Sequence, residues 1–158
     1  MNASMRRVAE ALRERGLDAE VRELPGSTRT APEAAAALDC DVAEIAKSLV
    51  FRGADSGDAV LVIASGADRV DEGLLAAAVG EPVEKPDAAF VRERTGFGIG
   101  GVPPVGHAQP LATFVEERML GLERVWAAAG TPRAVFGPVT PAELVRVTGA
   151  RVVAVARS

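Results

Sequence analysis

The sequence predicts an α+β domain with a mixed, curved or barrel-like sheet. Helical and strand-like segments do not alternate regularly along the chain, so a doubly wound parallel fold is the less favoured alternative. The run Ala59–Ala64 is apolar at every position, which indicates a strand covered on both faces. With 158 residues, of which 48% are hydrophobic and 25% charged, the chain is typical of one globular domain spanning residues 1–158.

The helices are predicted from apolar spacing and from capping residues. Apolar residues from Met5 to Leu12 recur at helical spacing. Thr30-Ala-Pro-Glu33 and Thr140-Pro-Ala-Glu143 have the pattern of a capping box, in which Thr caps the helix and Glu reaches back. The predicted helices cover about residues 3–15, 30–38, 72–79, 87–94 and 140–149, with a single capped turn at 41–44.

The strands are predicted from alternation and from β-branched or apolar runs. Glu20–Leu24 alternates and stops at Pro25-Gly26. In the strand Lys47–Arg52, Lys47 is expected to point to the opposite side from Ser48. The remaining strands are expected at 59–64, 111–116, 124–129, 133–136 and 151–156.

A glycine- and proline-rich segment, Thr95–Gly106, stands out because its other side chains are almost all apolar. Glycine allows the main chain to approach a ligand closely, and proline fixes φ. Such a segment suits a rigid cradle whose main-chain N–H and C=O groups contact a ligand. A tight buried turn between two elements is the other interpretation.

Lysine is scarce, with sixteen arginines but only Lys47 and Lys85. A compact ammonium group at Lys47, beside apolar neighbours, is placed to hold a phosphate or carbonyl oxygen. The alternative is a strand-end lysine that extends to water. Lys85, between Glu84 and Pro86, is interpreted as a surface charge.

Several function classes are disfavoured. A net charge of −4 and a pI near 5.1 argue against broad nucleic-acid binding, although a small basic patch remains compatible. No apolar run approaches the roughly 20 residues of a membrane span, and a cytoplasmic location is expected. The single Cys40 excludes an internal disulfide and a Cys-rich zinc site. Phosphate-loop and dinucleotide motifs are absent, and His107 is the only histidine. We therefore expect no cofactor and no metal.

Three segments in order resemble the signatures of the YbaK/ProX family of aminoacyl-tRNA deacylases, which are related to the editing domain of bacterial prolyl-tRNA synthetases. These segments are Ala46–Phe51, Thr95–Gly106 and Arg124–Thr131. The resemblance implies a mixed, barrel-like sheet surrounded by helices. It also implies hydrolysis of the ester that joins a wrong amino acid to tRNA. The implied partners are the acceptor end of aminoacyl-tRNA and prolyl-tRNA synthetase.

The resemblance also implies the site residues. Lys47 and Gly101 correspond to the catalytic positions, with any Cβ at residue 101 expected to intrude on the acyl group. The implied substrate-binding residues are Thr30, Ser48, Gly100, Pro104, Ala128, Gly130 and Thr131. Thr30 and Ala128 depart from the aromatic residue and the serine of the family's Cys-tRNA deacylases.

The leading hypothesis is a free-standing trans-editing deacylase. Its substrate would be tRNA-Pro carrying a small non-cognate amino acid (Ala, Cys, Ser or Thr). The alternatives are a non-catalytic homologue that binds tRNA or a small molecule, and a hydrolase of small esters or amides that does not act on nucleic acid. Lys47→Ala and Gly101→Val are both expected to abolish deacylation without affecting the fold.

Overall fold

The structure, a computed structural model, describes residues 1–158 and combines five α-helices with eight strands. The helices are α1 (Ala3–Glu14), α2 (Ala31–Leu38), α3 (Glu72–Val79), α4 (Ala88–Thr95) and α5 (Pro141–Thr148), with 3-10 helices at Val42–Glu44 and Glu117–Gly121. The strands are β1 (Val21–Glu23), β2 (Ile45–Gly53), β3 (Ala59–Ser65), β4 (Val83–Glu84), β5 (Ala112–Glu116), β6 (Val125–Ala128), β7 (Ala134–Val139) and β8 (Arg151–Val153). None of the helices combines the length and the apolar character that crossing a membrane requires.

All the strands belong to one mixed sheet with the order β1-β7-β6-β2-β3-β5-β8, and β4 pairs with the end of β2. The central strand β2 pairs antiparallel with β3 and parallel with β6. On one side the sheet continues through the parallel strands β5 and β8, and on the other through the antiparallel strands β7 and β1. The predicted α+β class with a mixed sheet is confirmed.

The fully apolar strand β3 is buried at every residue, as predicted. Its side chains alternate between two core clusters. Leu61 and Ile63 belong to the larger cluster, which includes the buried face of α1, whereas Val60 and Val62 belong to a smaller one. This strand therefore packs on both faces, which explains its lack of polar alternation.

Caps and buried polar groups account for most element boundaries. Thr140 forms the predicted capping box with Glu143, with N···O distances of 3.1 and 2.9 Å. At Thr30 the Oγ1 atom caps α2, but Glu33 accepts from the Thr30 hydroxyl instead of the main-chain N–H that we predicted. The last strand was predicted to reach residue 156 and ends at Val153. The N–H groups of residues 155 and 156 donate to the buried carboxylate of Glu116 instead of to a strand.

A third small cluster lies between α2 and the sheet. It joins Ala34 and Ala35 of α2 to Ile45 of β2 and Trp126 of β6. Ile45 lies opposite Trp126 in the parallel β2–β6 pair. The packing of short side chains at this point brings α2 close to the beginning of both strands.

Candidate functional site

A cavity of about 260 Å³ lies where α2, the paired strands β2 and β6, and the glycine/proline segment meet. We call it the main cavity. Much of its wall is made of alanines from these elements: Ala31, Ala34, Ala46, Ala127 and Ala128. A cavity of this size with short side chains around it accommodates a small ligand group.

Lys47 and the glycine segment both line the main cavity, although they are distant in sequence. The Lys47 Nζ group donates a hydrogen bond to the main-chain carbonyl of Asp68, whose carboxylate lies 3.2 Å from Arg118 Nη1. Burial lowers the pKa of Lys47, whereas the nearby negative charge of Asp68 acts to raise it. An ammonium group has three N–H donors, so two remain for a ligand.

The glycine segment contributes a tight turn to the cavity wall. The N–H of Gly101 donates to the carbonyl of Gly98 at 3.1 Å, and Gly100 has a φ of +92°. Positive φ at the third of four residues defines a type II turn and favours glycine there. The main-chain N–H groups of Gly100 and Val102 donate to no other group of the protein. Both residues line the main cavity, as does Ile99, whose N–H also has no acceptor within the protein.

Gly101 does not line the main cavity, and the reason for its small size differs from our prediction. A Cβ atom at this position would lie 2.8 Å from the main chain of Thr131 rather than in the space of a ligand. The Gly101 carbonyl also accepts a hydrogen bond from the Gly130 N–H at 3.0 Å. Gly101 therefore fixes the turn against the residues that follow β6. The expectation that Gly101→Val spares the fold is wrong on this geometry.

Of the nine site residues predicted from the sequence, the structure brings five to the main cavity. These five are Thr30, Lys47, Ser48, Gly100 and Ala128. Gly101, Gly130 and Thr131 contact one another behind the wall. Pro104 lies apart from them, at a separate cavity beside His107. Catalytic or binding roles for all nine remain predictions.

Unpaired polar atoms are concentrated at the main cavity. Three buried side-chain atoms of the protein have no hydrogen-bond partner: Thr28 Oγ1, Ser48 Oγ and Trp126 Nε1. All three residues line this cavity. A buried polar group without a partner is costly, and such groups are few in native proteins. Their concentration here is what a site for a polar ligand requires.

The sequence analysis missed several residues of the cavity. Thr28, Arg29 and Ile99 are in loops, and Trp126 is the only tryptophan of the chain. Arg29 is exposed, forms no ion pair and packs against Gly100, where an added Cβ would lie 2.5 Å from Arg29 Cγ. The single tryptophan was the one signal in the sequence that could have indicated this part of the cavity. A buried indole N–H usually has a hydrogen-bond partner, so a tryptophan without one in the protein suggests a ligand nearby.

His107 and Cys40 do not contribute to the main cavity. His107 is a half-buried loop residue, and its Nε2 atom lies 2.7 Å from the carbonyl oxygen of Pro103. Burial lowers the pKa of His107. Burial also raises the pKa of the Cys40 thiol, with Glu44 adding to the effect. A raised thiol pKa disfavours the reactive thiolate.

The sequence matches the model of a known domain family. Residues 26–151 match the family model for the aminoacyl-tRNA editing domain. The chain belongs to this family, which supports a role in tRNA editing. The predicted family resemblance is thereby confirmed.

Solved structures show the same architecture over the whole chain. One, described as a "putative trans-editing enzyme for prolyl tRNA synthetase", is 49% identical, with a TM-score of 0.92 over 100% of this chain and 99% of the other. A scaffold protein used for computational epitope grafting is 45% identical, with a TM-score of 0.91 and coverage of 100% and 99%. The uncharacterized protein YwhH of Bacillus subtilis is 30% identical over 79% of this chain and 78% of its own length.

Proposed function

We propose that the protein is a free-standing trans-editing deacylase that hydrolyses the ester of mischarged tRNA. The proposed substrate is tRNA-Pro carrying Ala, Cys, Ser or Thr. The observation that carries the proposal is the convergence of Lys47 and the Gly100 turn on one alanine-walled cavity. Membership of the editing-domain family and the likeness to a protein described as acting for prolyl-tRNA synthetase support it.

The chemistry fits a site without a protein nucleophile. An aminoacyl ester is already activated, so its hydrolysis needs a positioned water and stabilisation of the developing oxyanion. The free N–H groups of Gly100 and Val102 are suited to bind that oxyanion. One such donor is worth about 3–4 kcal/mol in other acyl-transfer enzymes. The Gly101 N–H does not contribute, because it is already engaged with the carbonyl of Gly98.

Lys47 supplies positive charge to the substrate from inside the main cavity. Its two free N–H donors suit either the ester carbonyl or the phosphate of the terminal nucleotide. The two roles differ in their kinetics. Loss of a contact made only in the transition state lowers kcat, whereas loss of a phosphate contact raises KM and reduces its dependence on salt.

The alanines of the main cavity leave space for an amino-acid side chain. Ala34, Ala46 and Ala127 are all buried, and their methyl groups leave room for a short side chain. Thr28 Oγ1 and Ser48 Oγ offer polar partners for the substrate ammonium or hydroxyl group. This combination suits short side chains such as those of Ala, Cys, Ser and Thr.

The test is a panel of tRNA-Pro charged separately with Ala, Cys, Ser, Thr and Pro, with the release of each amino acid followed over time. We expect multiple turnovers on at least one small non-cognate amino acid, and little hydrolysis of the prolyl ester. The matched variants are Lys47→Met, which removes the ammonium, and Arg151→Met, which removes the charge of an exposed arginine on β8 that lines none of the described cavities. Full activity of purified, folded Lys47→Met protein would refute the proposed site.

Measurements of tRNA binding and of small-ester hydrolysis, made beside the panel, test the remaining alternatives. Tight tRNA binding without turnover on any ester would indicate a non-catalytic homologue. Hydrolysis of small esters that uncharged tRNA fails to inhibit would indicate an esterase that does not act on nucleic acid. Either result would replace the proposal.

A further inference from the structure

A second cavity of about 240 Å³ adjoins the main cavity, and we call it the side cavity. The two share five lining residues: Ser48, Leu49, Ile99, Gly100 and Val102. The side cavity extends away from the alanines, between β2 and the beginning of α4. The residues that line it alone are Val50, Phe51, Lys85, Pro86 and Val91. A third cavity, around His107, shares no residue with the main cavity.

The lining of the side cavity suits a flat apolar group joined to an anion. Its lining residues are mainly aliphatic, and Phe51 is the one aromatic residue among them. Ile99 lines both cavities, and 47% of its surface is exposed. Lys85 is exposed and carries the only formal charge of the lining. A nucleobase has two apolar faces and is linked through ribose to phosphate.

We propose that the side cavity binds the 3′-terminal nucleobase of the aminoacyl-tRNA acceptor end. This inference rests on the proposed function, which places the amino acid in the main cavity. The aminoacyl ester and the base are attached to the same ribose, so the base must bind within a few bond lengths of the amino acid. The side cavity adjoins the main cavity, and Ile99 and Gly100 are among the residues that line both.

Adenosine provides a direct binding test that does not depend on turnover. Methyl groups of Val50 and Val91 report on the side cavity, and those of Ala34 and Ala128 report on the main cavity. In an NMR titration of the full chain, we expect adenosine to shift the valine methyl signals and ribose alone to leave them unchanged. Shifts confined to the alanine signals, or no shifts up to the solubility limit of adenosine, would overturn the proposal.

Two matched variants make the test specific. Ile99 and Leu120 are 47% and 48% exposed, and Leu120 lies outside both cavities. Loss of the aliphatic contact in Ile99→Ala is expected to weaken adenosine binding about three- to tenfold. Leu120→Ala is expected to bind adenosine as the wild type does. Equal effects of the two substitutions would contradict a base contact at Ile99.

Failure of this inference can be separated from failure of the proposed function. Alanyl-adenosine and the alanyl ester of methyl riboside carry the same ribose ester, and only the first carries a base. Hydrolysis of both with the same kcat/KM would support the deacylase and overturn the base-binding cavity. Adenosine binding at Val50 and Val91 without hydrolysis of any ester would support a nucleoside site and overturn the deacylase.

Discussion

Gly101→Ala tests whether the glycine turn depends on close contact between two stretches of main chain. The added methyl carbon would lie 2.8 Å from both Cα and C of Thr131 and 2.9 Å from its nitrogen. Main-chain atoms cannot rotate away as a side chain can, so the turn or the residues after β6 must move. Overpacking of this kind costs about 1–3 kcal/mol. For a domain of this size each kcal/mol lowers Tm by about 2–4 °C.

The assay is urea or thermal unfolding followed by circular dichroism, with Gly121→Ala as the matched control. A Cβ at Gly121 would have no atom within 4 Å, and the φ of Gly121 lies outside the positive region, so the same substitution there adds no contact. We expect Gly101→Ala to be less stable than wild type by about 1–3 kcal/mol. We also expect it to lose deacylation, because Gly100 and Val102 move with the turn. Wild-type stability of Gly101→Ala would refute the close contact.

Three further predictions concern charge and capping. Burial lowers the pKa of Lys47, so an enzyme that requires the Lys47 ammonium loses activity as pH rises through this pKa. The rate is corrected for uncatalysed ester hydrolysis. Lys47→Arg is expected to move the loss of activity to higher pH. A fall that is identical in Lys47→Arg would assign the titration to another group. Arg29→Ala is expected to raise KM for the aminoacyl-tRNA and to make KM less sensitive to salt. Arg151 is an exposed arginine on β8, and Arg151→Ala is expected to change neither KM nor its salt dependence. Equal effects of the two substitutions would show that Arg29 does not contact the substrate. Thr140→Ala is expected to lower the free energy of unfolding by about 0.5–2 kcal/mol through loss of the α5 cap, and an unchanged urea midpoint would show that the capping box contributes nothing.

Much of the fold followed from local patterns in the sequence. The segment 72–79 matches α3, because the cap at Asp71 and Gly80 at its end set both boundaries. The apolar run of β3 predicted burial on both faces. The two-residue strand β4 was missed because its only partner, the end of β2, is a non-local contact that its own residues do not encode. The early end of β8 depends on a carboxylate about forty positions away in sequence, at Glu116.

The candidate site was predicted less completely than the fold. Lys47 and Gly100 were found through the scarcity of lysine and the density of glycine, and the structure places both at one cavity. The reason for Gly101 could not be deduced, because its contact with Thr131 arises only when the chain folds. Arg29 and Thr28 have no distinguishing local pattern. Their place at the cavity follows from the packing of α2 against Trp126.

The pairing of β2 with β6 has a consequence for how selectivity could change. Ala46 lies opposite Ala127 in this parallel pair, so main-chain hydrogen bonds hold their Cβ atoms at a fixed separation. A longer side chain at either residue would reduce the space of the main cavity, while the hydrogen bonds between β2 and β6 keep the two main chains in place. Substitutions at these two positions would therefore change the volume of the main cavity in discrete steps.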